Sequence, residues 1–462
     1  MQTKIYYLKA YTLFVRKIFN ISLFLACVVT SVLAVAQENS PFSRYGLGDL
    51  VPNQMAASRA MGGMTAAFAD AQAVNTMNPA SYTNLRLVTY DLGFIVDQRR
   101  LQSNNPEGSF NSINFTPSYV TIGVPISAKR KMFGVLGVRP FTRVNYSVVG
   151  TGRLPGIDSV QNLFQGSGGL NQLFIGVAKR WKGLSVGINT GYLFGRKQTS
   201  TKTIFINDTV QYQASLHQTN VNFSRLFIQG GLQYEVALKS KVEANGGQTK
   251  VTFLRFGATG NLQQSMNAER DDLAQTIGFN AAGGTVRIDS VFATTGTTGK
   301  IVLPASVSMG VMIGANETGK MGAYDRWMVG AEYNATNWNA YRYFGQTDRV
   351  TNSWMARLGA QITPNPTNVK SLLARSTYRA GIYRGKDYIN ADGNGLQVTG
   401  FTLGMGFNLR KFSAYSTQFT MINLAADFGQ RGSSVNNVSE RFVRITLGLS
   451  LSDIWFQKRR YD

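Results

Sequence analysis

Apolar residues recur at every second position along most of this 462-residue chain. In Leu303, Ala305, Val307, Met309, Val311 and Ile313 they alternate with Pro304, Ser306, Ser308, Gly310, Met312 and Gly314, all small or polar except Met312. Val443, Ile445, Leu447, Leu449 and Leu451 repeat the pattern against Arg444, Thr446, Gly448 and Ser450. A period of two sends successive side chains to opposite faces of a strand. Such runs lie near 85–101, 110–128, 131–146, 169–181, 183–197, 219–239 and 249–263, and again near 301–314, 323–337, 352–363, 371–386, 395–410, 416–430 and 440–453. Between the apolar positions stand too many Gly, Ser, Thr, Asn, Gln and Arg to oppose a second sheet. An apolar exterior around a polar interior satisfies every backbone group only when the sheet closes on itself in lipid. The expected fold is therefore all-β: a transmembrane antiparallel barrel over 85–462.

The connections alternate in length, as in outer-membrane barrels. Ser127–Arg130, Trp181-Lys182-Gly183 and Pro364–Thr367 read as tight turns. The connections after the third, fifth and seventh runs read as long loops, the longest near 264–300. Trp181, Tyr192, Trp327, Tyr333, Trp338 and Trp354 fall at run ends or outward positions and suit an interfacial girdle. Residues 40–84 do not alternate and are rich in Ala, Gly and Met, which predicts a compact segment with short helices.

Export sets the compartment. Lys4, Lys9, Arg16 and Lys17 precede an apolar run from Ile18 to Val35, and Ala34-Val35-Ala36 offers small residues for cleavage. Residues 1–36 thus read as a signal peptide, with the mature chain starting at Gln37 in a Gram-negative outer membrane. The alternatives are an uncleaved helix and lipidation at Cys27. Removing four cations and no anions takes the formal charge from +23 to +19 and leaves no cysteine for disulfides or thiolate metal sites. The Lys and Arg residues are scattered singly, which suits anionic lipid and lipopolysaccharide rather than nucleic acid.

Here residues point to a family. Arg59-Ala60-Met61-Gly62-Gly63-Met64-Thr65-Ala66-Ala67-Phe68-Ala69-Asp70 followed by Asn78-Pro79-Ala80 resembles the start of FadL/TodX-type outer-membrane transporters of long-chain fatty acids and other hydrophobic compounds. Leu303-Pro304-Ala305-Ser306-Val307, the strand ending in Asn337-Trp338, and Tyr378-Arg379-Ala380-Gly381 leading to Gly404-Met405-Gly406 continue the likeness in order. Ser40 to Leu50 resembles the branch found in Bacteroidetes. The basic tail Trp455–Asp462 departs from the family, whose chains end on an aromatic residue. The resemblance implies fourteen strands, the number of runs placed above. It also implies that residues 37–84 are a hatch inside the lumen, carrying Gly62, Gly63, Asn78, Pro79 and Ala80. A kink in the third strand is implied as well, opening a side window.

Pro140, beside Arg139 in the third run, lacks the donor that a ladder needs and marks that opening. Arg255, Arg357, Arg379 and Arg444 fall at inward positions, since an arginine at the lipid midplane would cost ~2–4 kcal/mol. They are candidates to meet a ligand carboxylate, or to pair with hatch carboxylates such as Asp70. His217, the single histidine, is placed in a polar connection without a catalytic constellation around it, and neither a metal site nor a cofactor site is expected. The leading expectation is a passive, non-enzymatic channel for hydrophobic or amphipathic small molecules that releases them sideways. A non-transporting partner barrel in type IX protein secretion and a general porin are the other readings.

Overall fold

The computed structural model describes residues 40–453 except 128, 156–157, 207–209, 211, 243–248, 282–283, 320–321, 367, 369 and 411–418. The expected signal peptide and the basic tail lie outside the described residues. Eighteen strands are present among them: β1 Asp49–Leu50, β2 Val88–Asn104, β3 Glu107–Ser127, β4 Met132–Leu154, β5 Asp158–Trp181, β6 Leu184–Ile206, β7 Ala214–Val242, β8 Thr249–Asn261, β9 Gln264–Phe279, β10 Thr285–Leu303, β11 Ser306–Gly319, β12 Gly322–Thr336, β13 Arg342–Tyr343, β14 Ser353–Ile362, β15 Thr377–Lys386, β16 Gln397–Arg410, β17 Phe419–Arg431 and β18 Val438–Asp453.

Fourteen of these close a ring. Each strand from β2 to β8 pairs antiparallel with the next. β8 pairs directly with β11, followed by β12, β14 and the strands to β18, and β18 returns to β2. Along β18, Val443, Ile445 and Leu451 are exposed on the outside while Thr446, Ser450 and Ser452 are buried inside. Leu226 at 68% and Met309 at 61% exposure belong to the same outer belt, a surface stable only against lipid. From Leu184 to Phe194 on β6 the ten-residue climb, at about 3.4 Å per residue and a tilt near 40°, rises about 26 Å, matching the apolar band of such barrels.

Above that band the structure corrects the expected loops. The connections after the third and fifth runs are largely continued strand, with β4 and β5 meeting at 154–158 and β6 reaching Ile206. The region 264–300 is the hairpin β9–β10, and β9 takes over as the partner of β7 from Ala214 to Ser224. His217 consequently lies on β7, opposite Thr201 and Ala274, rather than in a connection. Strands β4, β5, β6, β7, β9 and β10 thus form an open sheet outside the membrane. Its inner face still buries Val160, Val221, Phe223, Met266 and Ile277, but β10 is largely exposed on both faces from Thr285 to Gly296, so the period of two weakens there. Leu303 also moves: it ends β10 facing inward, and the alternating strand starts only at Ser306. Trp338 is not in the girdle but buried, stacked 4.3 Å from Tyr388.

Candidate functional site

Residues 40–87 pack against inward-facing wall residues. Their short helical turns, Pro41–Arg44, Ala56–Arg59 and Pro79–Asn84, leave many amides without regular partners, and wall side chains supply some of them. Glu332 accepts from the Thr65 and Ala66 amides at 2.5 and 2.6 Å and pairs with Arg357 at 3.2 Å. Thr402 accepts from Gly62 at 2.8 Å, and Asp91 from Val74 at 2.8 Å. Asn78 caps the turn that Pro79 opens, by accepting from Ala80 at 3.0 Å, and its amide donates to Ala66 and to the Leu232 and Ala258 carbonyls of the wall.

Small residues let two backbones meet. Gly62 and Gly63, at φ +71 and +79, take a left-handed turn that a side chain would strain. A Cβ on wall Gly381 would collide with Gly62, and one on Gly257 with the Ala66 carbonyl. Gly187, Gly231 and Gly359 meet Pro79, Asn78 and Met61 in the same way. The strand glycines are therefore contact points for this segment, a role that alternation alone did not disclose.

The four inward arginines are not brought to one site. Arg357 and Arg444 line a cavity of about 170 Å³ with Arg59, Tyr383 and Asp427. Arg379 lines a separate one of about 230 Å³ with Asp70, Asp325 and Arg375, and its Nη2 lies 3.8 Å from Asp70. Arg255 pairs with Glu235 at 2.9 Å and donates to the Ala67 carbonyl at 3.4 Å. Arg444 pairs with Asp97 at 3.1 Å. Asp70 was anticipated as a partner, but the wall carboxylates that answer Arg255, Arg357 and Arg444 were missed in the sequence. Their signal was present: Glu332 sits between outward Ala331 and Tyr333, at an inward position.

The wall is incomplete on one side. The β3–β4 ladder stops at Val120↔Val138, although both strands run on. Two residues beyond the last rung is Pro140, which pairs with Asn171 of β5, and a bulge follows before Thr142. Arg139 does not face this seam. It points inward, buried, donating to Gln172 at 2.7 Å and to Thr76 at 2.8 Å. β1 occupies the β4 edge that β3 leaves free, with Asp49↔Arg143 and Leu50↔Thr142 in register. The next residues cross to β3: Ser118 donates to the Pro52 carbonyl at 3.2 Å and the Ala56 amide to Tyr119 at 3.2 Å.

β1 is tethered by charge. Asp49 meets Arg99 at 2.6 Å and Arg431 at 2.9 Å, and both arginines lie within 4 Å of buried Glu440. Burial alone would raise the Asp49 carboxyl, but Arg431 and Arg99 outweigh it and hold it well below its ordinary 3.8. A depressed carboxylate contributes stability above its unfolded pKa, and that contribution disappears as pH falls through the folded value. Hydrogen exchange at Gly48–Val51, corrected for intrinsic rates, should thus be unchanged from about pH 8 to pH 4 and loosen only below. Asp49→Asn should show the loosened pattern already at neutral pH.

No curated protein matches the chain in sequence. Among solved structures, the Pseudomonas putida toluene transporter TodX is similar, with a TM-score of 0.51 at 15% identity over 88% of this chain and all of the other. The Ralstonia pickettii toluene transporter TbuX matches at TM-score 0.48 and 14% identity, covering 87% and 99% of the two chains. A Pseudomonas aeruginosa FadL homologue matches at 0.47 and 12%, covering 88% and 99%. The fold is thus that of FadL/TodX-type outer-membrane barrels. The family model described as BamG matches residues 14–462, nearly the whole sequence, and the chain belongs to the BamG family.

Proposed function

We propose that this barrel is a passive outer-membrane channel for hydrophobic or amphipathic small molecules, with residues 40–87 as its hatch and the β3–β4 seam as a lateral route that β1 holds shut. The observation that carries this reading is the early end of the β3–β4 ladder in an otherwise continuous wall. An apolar solute that leaves through the seam emerges beside Asn171, at the headgroup edge of the apolar belt, and passes from there into the outer leaflet, with partition down a gradient as the drive. The inward arginines are engaged within the protein: Arg379 meets Asp70 of the hatch, and Arg255, Arg357 and Arg444 pair with the wall carboxylates Glu235, Glu332 and Asp97.

Uptake of labelled fatty acid and of toluene into proteoliposomes tests the proposal, with empty liposomes as the baseline. Absence of uptake above that baseline would reject it. Pro140→Val probes the seam: projecting the Val120↔Val138 register places residue 140 opposite Ser118. A restored donor there is expected to lengthen the ladder and lower uptake in a barrel that still folds. Equal uptake by the folded variant would remove the seam as the route.

One observation favours a second reading, the partner barrel. The cavities of about 170 and 230 Å³ beside the segment are lined by arginines and aspartates, and both fall below the ~300 Å³ at which small-molecule pockets usually begin. Inward apolar residues such as Phe174, Leu193 and Phe227 belong to one packed cluster instead of lining an open pocket. A barrel without transport, displaying its extramembrane sheet to another protein, would show the same lumen. Zero uptake together with a stable co-purifying outer-membrane protein would favour it.

A further inference from the structure

We infer that the outer face of the barrel carries a binding groove for a phosphorylated glycolipid headgroup of the outer leaflet. A concavity of about 1180 Å³ crosses strands β4, β5, β6, β7, β9 and β10 on the side away from the lumen. The sheet bends there for a local reason. Just past the β4 bulge at Phe141, Arg143 and Val144 pair with Gly169 and Gly168 of β5, whose φ values of +143 and +117 disfavour any other residue. A Cβ on Gly169 would strike the Thr142 carbonyl, and one on Gly168 the Arg196 carbonyl.

Height along the strands fixes what the groove meets. Phe194 on β6, Leu173 on β5 and Leu226 on β7 are exposed members of the apolar belt. One step further up on the same outward face come Arg196, Asn171 and Ser224, which line the groove. The groove therefore opens at the level of the headgroups, on the end of the barrel opposite the short turns. Its charged lining is Arg143, Arg196 and Lys300 against the single carboxylate of Glu269. Arg143 is held by Thr116 at 2.7 Å. Arg196 and Lys300 make no side-chain hydrogen bond or ion pair among the described residues, and both are exposed. Two cations on a curved floor fit phosphate oxygens. Asn171, Asn222 and Asn267 beside them offer amides suited to sugar hydroxyls, which a glycerophospholipid headgroup would not use. The site requires only that the barrel spans an asymmetric outer membrane, not that it conducts anything.

The test is native mass spectrometry of the detergent-solubilised, full-length protein mixed with bisphosphorylated lipid A, dephosphorylated lipid A or phosphatidylglycerol. The intact protein is expected to retain bisphosphorylated lipid A over the other two. R196Q combined with K300Q should lower that retention by roughly tenfold, the effect of losing charge-assisted contacts. R100Q combined with R384Q removes two outward arginines elsewhere on the barrel and should leave it unchanged. Both variants alter exposed side chains, and heat-modifiable migration checks that each barrel is folded. Equal retention of phosphatidylglycerol, equal retention by R196Q/K300Q, or an equal loss in R100Q/R384Q would each overturn the site.

Discussion

Joining L50C to T142C by a disulfide should abolish uptake of apolar solutes, and a reductant should restore it. Leu50 and Thr142 are register partners across β1 and β4. Antiparallel partners stand about 4.5–5.5 Å apart at Cα, within the span that a disulfide bridges. The only native cysteine, Cys27, precedes the described residues, so the new pair has no competitor among them. If β1 must leave the β4 edge for solute to pass the seam, the crosslink holds the route closed while the barrel is untouched. Each single cysteine variant should retain uptake. Oxidised protein that still transports would show that β1 is not the gate, and solute would then have to pass the hatch into the periplasm.

Glu332→Ala should release the 62–66 turn from the wall while the barrel stays folded. Glu332 is buried and serves two backbone amides and the Arg357 guanidinium together. Removing one partner of a buried pair costs about 3–5 kcal/mol, because the remaining charge is left uncompensated. Much of that cost falls on the segment rather than on β12, whose backbone ladders with β11 and β14 remain. Limited proteolysis should cut the variant between residues 59 and 70, where the intact protein resists, with unchanged heat-modifiable migration. Glu332→Gln keeps an acceptor for the amides and should be cut more slowly than the alanine variant. Resistance equal to the intact protein would mean that the glycine contacts, not Glu332, hold the turn.

The fourteen barrel strands were legible because lipid outside and polar groups inside impose a period of two on every spanning run. Val443 to Leu451 shows it without exception at the apolar positions. The inward placement of Arg255, Arg357, Arg379 and Arg444 followed from the same parity. Where that constraint ends, so does legibility. β9 and β10 read as a loop because Glu269-Arg270-Asp271-Asp272 puts charge at both parities of β9 and β10 is largely exposed on both faces from Thr285 to Gly296, and His217 was misplaced with them. Arg139 was assigned to the seam by its neighbour Pro140, yet parity sends the two to opposite faces.

The amino-acid sequence by itself determined the barrel, the faces of its strands and the irregularity at Pro140, all of which rest on local alternation and on a missing amide. Only the tertiary structure decided that the stretch between β8 and β11 folds as a hairpin, that β1 sits on the free edge of β4, and which wall carboxylates answer Arg255, Arg357 and Arg444. Those features depend on partners such as Asp49 and Arg431, or Thr65 and Glu332, that lie hundreds of residues apart. No local period encodes such pairs; closing the ring brings them together.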